Sequence, residues 1–149
     1  MIQMDPVVTP VAFGNGSSMQ VHRASLQTDA SGSRRSTIFF PAGTSASLLM
    51  PDGSMQTAGS LHIRATEFTV GPDGPAAMPG VLPPLSGYTY CVEFSADVAA
   101  AASALSVQFN QPVFAYLKNF LQFPVGSVVP LGFYNRQKGA WEPLPTGAS

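Results

Sequence analysis

FNQPVFAYLKNFLQFPVGSVVPLGFYNRQKGAWEPLP, residues Phe109 to Pro145, decides the class of the fold. Its apolar runs are short and are broken by proline and glycine before a helix could complete its turns. Val113, Ala115 and Leu117 alternate with Phe114, Tyr116 and Lys118, the period of an extended strand with two unlike faces. Val125 to Asn135 predicts a further, proline-bounded strand, and Ala140 to Glu142 a last short one that seats Trp141. Phe114, Tyr116, Phe120, Phe123, Phe133, Tyr134 and Trp141 are read as core, because two packed sheets need large side chains between them. Several of them exposed in a row would instead point to a glycan or a partner protein.

The same punctuation continues upstream. Thr37 to Phe40 (TIFF) and Ser45 to Met50 (SASLLM) read as strands separated by a PAG turn, and Pro51 to Ser54 (PDGS) is a hairpin turn. In Ser60 to Val70, Leu61, Ile63 and Ala65 face one way and His62, Arg64 and Thr66 the other, with a change of register before Phe68 and Val70. Gly71 to Gly87 carries too much proline and glycine for regular structure and is expected to be an ordered loop anchored by Met78, Val81, Leu82 and Leu85. Tyr88 to Ser95 returns to period two, with Tyr88, Tyr90, Val92 and Phe94 on one face. Ala96 to Ala104 predicts a short Ala-rich helix with Asp97 as its N-cap, and Leu105 to Asn110 another strand. The expected fold is an all-β antiparallel sandwich of roughly seven to nine short strands with one short helix. Residues 1–36 are expected to be a loop-rich entry, with a strand only within Met19 to Leu26, and residues 37–149 the sandwich core of a single domain.

Composition narrows the function. With 149 residues the chain is the size of one domain, and its 7 basic and 8 acidic side chains are scattered. That balance disfavours nucleic acid, whose partners carry basic patches. Charged residues make up 10% of the chain, well below the usual share of about a quarter, which suits an extracellular or assembly-embedded module. No apolar run is long enough to cross a membrane as a helix, and Met1 to Pro10 lacks the pattern of a signal peptide; the ending PLPTGAS reads as a truncation, and if the parent protein is exported its signal is expected upstream of this fragment. Cys91, the single cysteine, cannot form an internal disulfide and reads as a small buried hydrophobe.

No reagent cluster emerges. His22 and His62 are the only histidines, too few for a His-rich metal site, and His62 sits on the polar face of its strand. There is no nucleophile elbow and no phosphate-binding glycine loop. The expectation is therefore no catalytic, cofactor-binding or metal residue and no cofactor. Two self-modifying chemistries remain open. An isopeptide would join Lys118 or Lys138 to Asn110, Asn119 or Asn135, with Glu67 or Glu93 as the catalytic carboxylate. Cleavage at Phe94-Ser95 would need the serine hydroxyl to attack its own peptide bond, with Glu93 where a base is required.

The stretches FFPAGTSASLLMPDGS, LHIRATEFTVGPDGPAAMPGVLPPLSGYTYCVEFSAD and VQFNQPVFAYLKNFLQFPVGSVVPLGFYNRQKGAWEPL together resemble a module of large bacterial secreted proteins of the Rhs/YD-repeat type. IRATEFTVGPDGPAAMP and PVGSVVPLGFYNRQKGAW are its most specific parts, and the likeness runs from Thr37 to Leu144. More distantly, the PDG hairpin followed by a late F-x-x-PV strand is similar to the β-sandwich shared by ankyrins and netrin receptors, some relatives of which self-cleave at His-Phe-Ser. Glu93 stands at the His position here, so that activity is not implied. The resemblance implies a noncatalytic structural and assembly module, secreted or on the cell surface. Its partners would be neighbouring domains of the same parent, against which it packs or which it plugs. The alternatives are a carbohydrate- or protein-binding sandwich and a self-processing domain cut at Phe94-Ser95. No nucleic-acid partner and no membrane insertion are expected.

Overall fold

Turns cut the chain into thirteen short strands and one five-residue helix in a computed structural model that describes residues 3–71, 74–80 and 90–144. In order the strands are β1 (Thr9–Ala12), β2 (Gln20–Arg23), β3 (Gln27–Asp29), β4 (Gly32–Arg34), β5 (Ser36–Phe40), β6 (Ala46–Leu49), β7 (Met55–Ala58), β8 (Ser60–Glu67), β9 (Val92–Ala96), β10 (Ser106–Phe109), β11 (Phe114–Leu117), β12 (Gly132–Asn135) and β13 (Ala140–Pro143). Helix α1 (Asp97–Ala101) joins β9 to β10. All pairings are antiparallel, and the fold is an all-β, sandwich-like assembly.

Three sheets of three strands carry the core, in the orders β1-β8-β9, β10-β6-β7 and β11-β5-β2. Their central strands are those whose sequences alternate most strictly. In β5 Ile38 and Phe40 are buried, in β6 Ala46 and Leu48, and in β8 Leu61, Ile63 and Ala65. A strand flanked on both sides has its backbone groups satisfied by its neighbours, so its apolar face can be withdrawn fully from water. The β6–β7 hairpin turns on Pro51-Asp52-Gly53-Ser54 as expected. Asp52 Oδ1 accepts from Ser54 N at 2.8 Å, and Gly53 takes φ +83°, a backbone that only glycine adopts without strain.

Roughly seven to nine strands were expected; nine, β5 to β13, begin at or after residue 36, among them β7, which no expected run covered, and the first 36 residues supply four more. There a loop-rich entry with one strand was expected. That strand is β2, which pairs along β5, while β1, paired along β8, and the β3–β4 hairpin are additional to it. Val11, His22 and Ala24 are thereby buried among the residues of β5 and β8. The period-two signal of these strands is weak because their ladders and their side-chain bonds do the stabilising. Gln20, for example, bonds both the N–H and the C=O of Ala12.

Three further expectations are corrected. Ala96, with no side-chain bond, occupies the N-cap of α1, and Asp97 instead binds Arg64 through two hydrogen bonds of 2.8 and 3.2 Å. The strand expected over Val125 to Asn135 is confined to β12, since Pro124 and Pro130 interrupt the ladder donors before it. The alternation in β8 breaks at its end, where Thr66 and Glu67 are both buried. Of the loop from Gly71 to Gly87, residues 72–73 and 81–87 lie outside the described residues. Its anchors Val81, Leu82 and Leu85 and the strand residues Tyr88 and Thr89 lie outside them too. Within the described part Pro75–Ala77 form a single 3-10 turn and Met78 is buried.

Candidate functional site

Beyond Ala99 no described residue is buried. The stretch that identified the fold class therefore adds no buried residue to its interior, and of the aromatics expected as core Phe120, Tyr134 and Trp141 are only half-buried. Phe114, Tyr116, Phe123 and Phe133 are exposed, together with Val125, Val128, Val129 and Leu131. Strand β11 pairs on one side with β5, and Tyr116 packs edge-on against Phe39 with ring centroids 5.1 Å apart, but nothing among the described residues covers its outer face.

Among the described residues the β12–β13 hairpin forms its own two-stranded sheet, and contacts from Trp141, Tyr134 and Arg136 tie it to the rest of the chain. Trp141 Nε1 donates to the Pro79 carbonyl at 2.8 Å, Tyr134 lies against Gly80, and Arg136 pairs with Glu93. A Cβ at Gly80 would stand 2.8 Å from the Tyr134 ring, and Gly80 has φ +74°, so only glycine lets the tyrosine approach this closely. Trp141 thus has a seat, half-buried at the surface.

Between the sheets lies an open cleft of about 860 Å³. Ile38, Phe40 and Ile63 floor it, and its walls come from β9, β10, β11 and the Asn110–Val113 connection. Phe94 explains why it is open. It pairs with Ala65, which is 1% exposed, and directly opposed residues of an antiparallel pair share a face, so Phe94 points to the core side. Yet Phe94 is 50% exposed. On the far side Phe109 meets Phe40 and Phe13 at 5.9 and 5.8 Å, closing the inner end of the cleft with an aromatic cluster.

Ser95 follows Phe94 along this wall. Its Oγ is buried and has no hydrogen-bond partner among the described residues, and the acids two residues to either side, Glu93 and Asp97, are engaged by Arg136 and Arg64. Among the described residues no base hydrogen-bonds the Ser95 hydroxyl. The isopeptide candidates are likewise not assembled in an apolar core: Lys118 is exposed, and Lys138 is exposed and pairs with Glu142 at 2.5 Å on the hairpin.

Two buried polar clusters were not legible as sites. Arg34, 2% exposed, binds Asp29 at 2.6 and 2.7 Å and Glu67 at 2.5 and 2.9 Å, with the Phe120 ring 4.6 Å below its guanidinium. Hydrogen bonding from Arg34 holds the Asp29 carboxyl below its usual range. His22 is fully buried, with Nδ1 2.8 Å from Thr9 Oγ1, and burial holds its imidazole below the usual histidine range, partly offset by nearby Asp5. Asp5 itself accepts from Ser25 and Val7 and its carbonyl accepts from Arg64, tying the N-terminal strands to β8. His62 is exposed. Among the described residues no three His, Cys, Asp or Glu side chains gather as metal ligands, and no helix is long and apolar enough to cross a membrane.

Cys91 is half-buried, and burial, with Glu93 and Glu67 nearby, pushes its thiol up to about 11. At pH 8 it is almost entirely the unreactive thiol. Alkylation by iodoacetamide is expected to run about two orders of magnitude slower in the native protein than in the urea-unfolded chain. Equal rates would show that the thiol is not held this way.

The structure thus offers an apolar cleft and an apolar C-terminal face, with no assembled set of reacting groups among the described residues. Compared with family models, curated proteins and solved structures, the chain finds no match in any of the three.

Proposed function

We propose that the protein is a noncatalytic β-sandwich module that docks against neighbouring protein surfaces. The observation that carries this reading is the unburied C-terminal third, in which Val125 is fully exposed and Val128 is 76% exposed amid other bare apolar side chains. Apolar groups presented in such number are costly to leave in water and mark a surface that a partner covers. The exposed set is as much valine and leucine as aromatic, and aliphatic side chains offer a sugar ring no stacking platform, which favours a protein over a glycan. The likeness to secreted Rhs/YD-repeat proteins supports a bacterial, exported parent, whose adjoining domains are the partners we assign.

The test is the triple variant V125D/V128D/L131D. These side chains lie outside the core, so the thermal midpoint is expected to move by less than about 2–4 °C. Binding of a hydrophobic dye and co-purification with the segments adjoining the chain in its reading frame are expected to be lost. Retention of both would overturn the docking role of this face. A reading frame that encodes no YD repeats would overturn the parentage.

A further inference from the structure

We propose that the cleft bordered by β9, β10 and β11 is a strand-accepting site, which takes one extended, uncharged segment of a partner polypeptide with apolar side chains at alternate positions. This site is separate from the C-terminal face and does not depend on it. Three features of the cleft converge on that occupant.

The first is its rim. β9, β10 and β11 are each the terminal strand of their sheet, and all three border the cleft. Their outer N–H and C=O groups have no strand partner among the described residues, so the opening is edged by backbone that accepts a further strand. The second is its floor. Ile38, Phe40 and Ile63 are core residues seen from the outside, and Phe94 is half-exposed although it faces the core side. One interior layer is unfilled, and alternate side chains of an added strand are what fills such a layer.

The third is charge and polarity. Among the described residues no charged side chain lines the cleft. Of its polar residues, Asn110 and Gln111 are already spent on the 42–45 turn: Asn110 Oδ1 accepts from Ser45 N at 2.7 Å, and Gln111 Nε2 donates to the Ala42 carbonyl at 3.0 Å and to Thr44 Oγ1 at 2.9 Å. These bonds fix the rim in place before anything binds, which lowers the ordering cost of association. The other polar lining residues are Ser95, whose Oγ is buried, and Ser106, so the cleft offers few of the convergent polar groups by which a small-molecule site orients its ligand. Backbone pairing and apolar packing are what the cleft has left to offer. Its length suits four or five residues, since β9 has five and β10 and β11 have four each.

The probe is a capped heptapeptide of alternating valine and threonine, labelled at one end and titrated against the full chain by fluorescence anisotropy. Saturable binding is expected. A peptide of the same sequence N-methylated at alternate residues, which cannot complete the ladder, is expected to bind at least tenfold more weakly, a difference of about 1.4 kcal/mol. The F94E variant, altered at a half-exposed position, is expected to lose binding by a similar factor while keeping its circular dichroism spectrum. V125D/V128D/L131D is expected to bind the heptapeptide as the parent chain does, so failure of the docking face and failure of the cleft are told apart. Absence of saturable binding, equal binding of the N-methylated peptide, which would indicate simple adsorption of an apolar ligand, or unchanged binding by F94E would each overturn the proposal. So would a dimer in sedimentation that F94E abolishes and the peptide does not displace, because the occupant would then be a second copy of the chain.

Discussion

Replacing Arg34 by alanine is expected to lower the unfolding free energy by about 3–5 kcal/mol, measured from urea denaturation midpoints at constant slope. The reason is the state of its partner. Glu67 has only 4% of its side chain exposed and receives two hydrogen bonds from Arg34, against one from Thr69. Without the guanidinium, a carboxylate that is nearly dry loses its counter-charge while its desolvation cost stays. Asp29 is more accessible, with 24% of its side chain exposed, and recovers water more readily. The Phe120 ring loses the cation above it, which frays the link from the β3–β4 hairpin to the segment after β11. The double variant R34M/E67L removes both buried charges and is expected to recover most of the loss, because an apolar pair of similar volume needs no compensation. A single-variant cost below about 1 kcal/mol would show that water reaches Glu67 and that the cluster is not a structural tie.

That cluster marks where sequence reading stops. Arg34 and Arg35 stand side by side in a polar run, and only strand parity, set by the pairing of β3 with β4, turns one inward and the other out. Glu67, 33 residues away, closes a strand whose earlier residues follow the apolar alternation, and nothing in the local pattern marks it as buried. By contrast β5, β6 and β8 were legible because each is a central strand, where burial of one face writes itself into the residue alternation. Edge strands carry no such obligation. β1 went unread for that reason, β2 was read within Met19 to Leu26, and β11 was read correctly as a strand but wrongly as core. Phe114 and Tyr116 alternate with Ala115 and Leu117 in a strand whose residues are all exposed. Periodicity reports that a strand has two faces, while the neighbour that would cover each face is a matter of tertiary structure. The cleft was illegible for the same reason, since Phe94 in sequence is an ordinary inward residue, while in the structure β9 has no further strand beside it among the described residues.

Two phenylalanines on the cleft should therefore respond very differently to truncation. Phe40 is 2% exposed on central strand β5 and packs edge-on against both Phe13 and Phe109, at 5.6 and 5.9 Å. Phe40→Ala is expected to cost about 3–5 kcal/mol, the sum of lost apolar burial and of a cavity that the flanking strands cannot collapse onto. For a domain whose total stability is about 5–15 kcal/mol, much of the population would unfold on mild warming. Phe94 belongs to the edge strand β9, and half of its surface is already in water. Phe94→Ala is expected to cost under about 1 kcal/mol in the isolated chain. The contrast is read from paired urea titrations, repeated with saturating heptapeptide. Added peptide should stabilise the parent chain by mass action and leave Phe94→Ala little changed, since the alanine removes the wall against which a fourth strand packs. A Phe94→Ala cost as large as that of Phe40→Ala would mean that Phe94 is covered in solution. The sandwich would then already be closed at β9, and no strand could enter there.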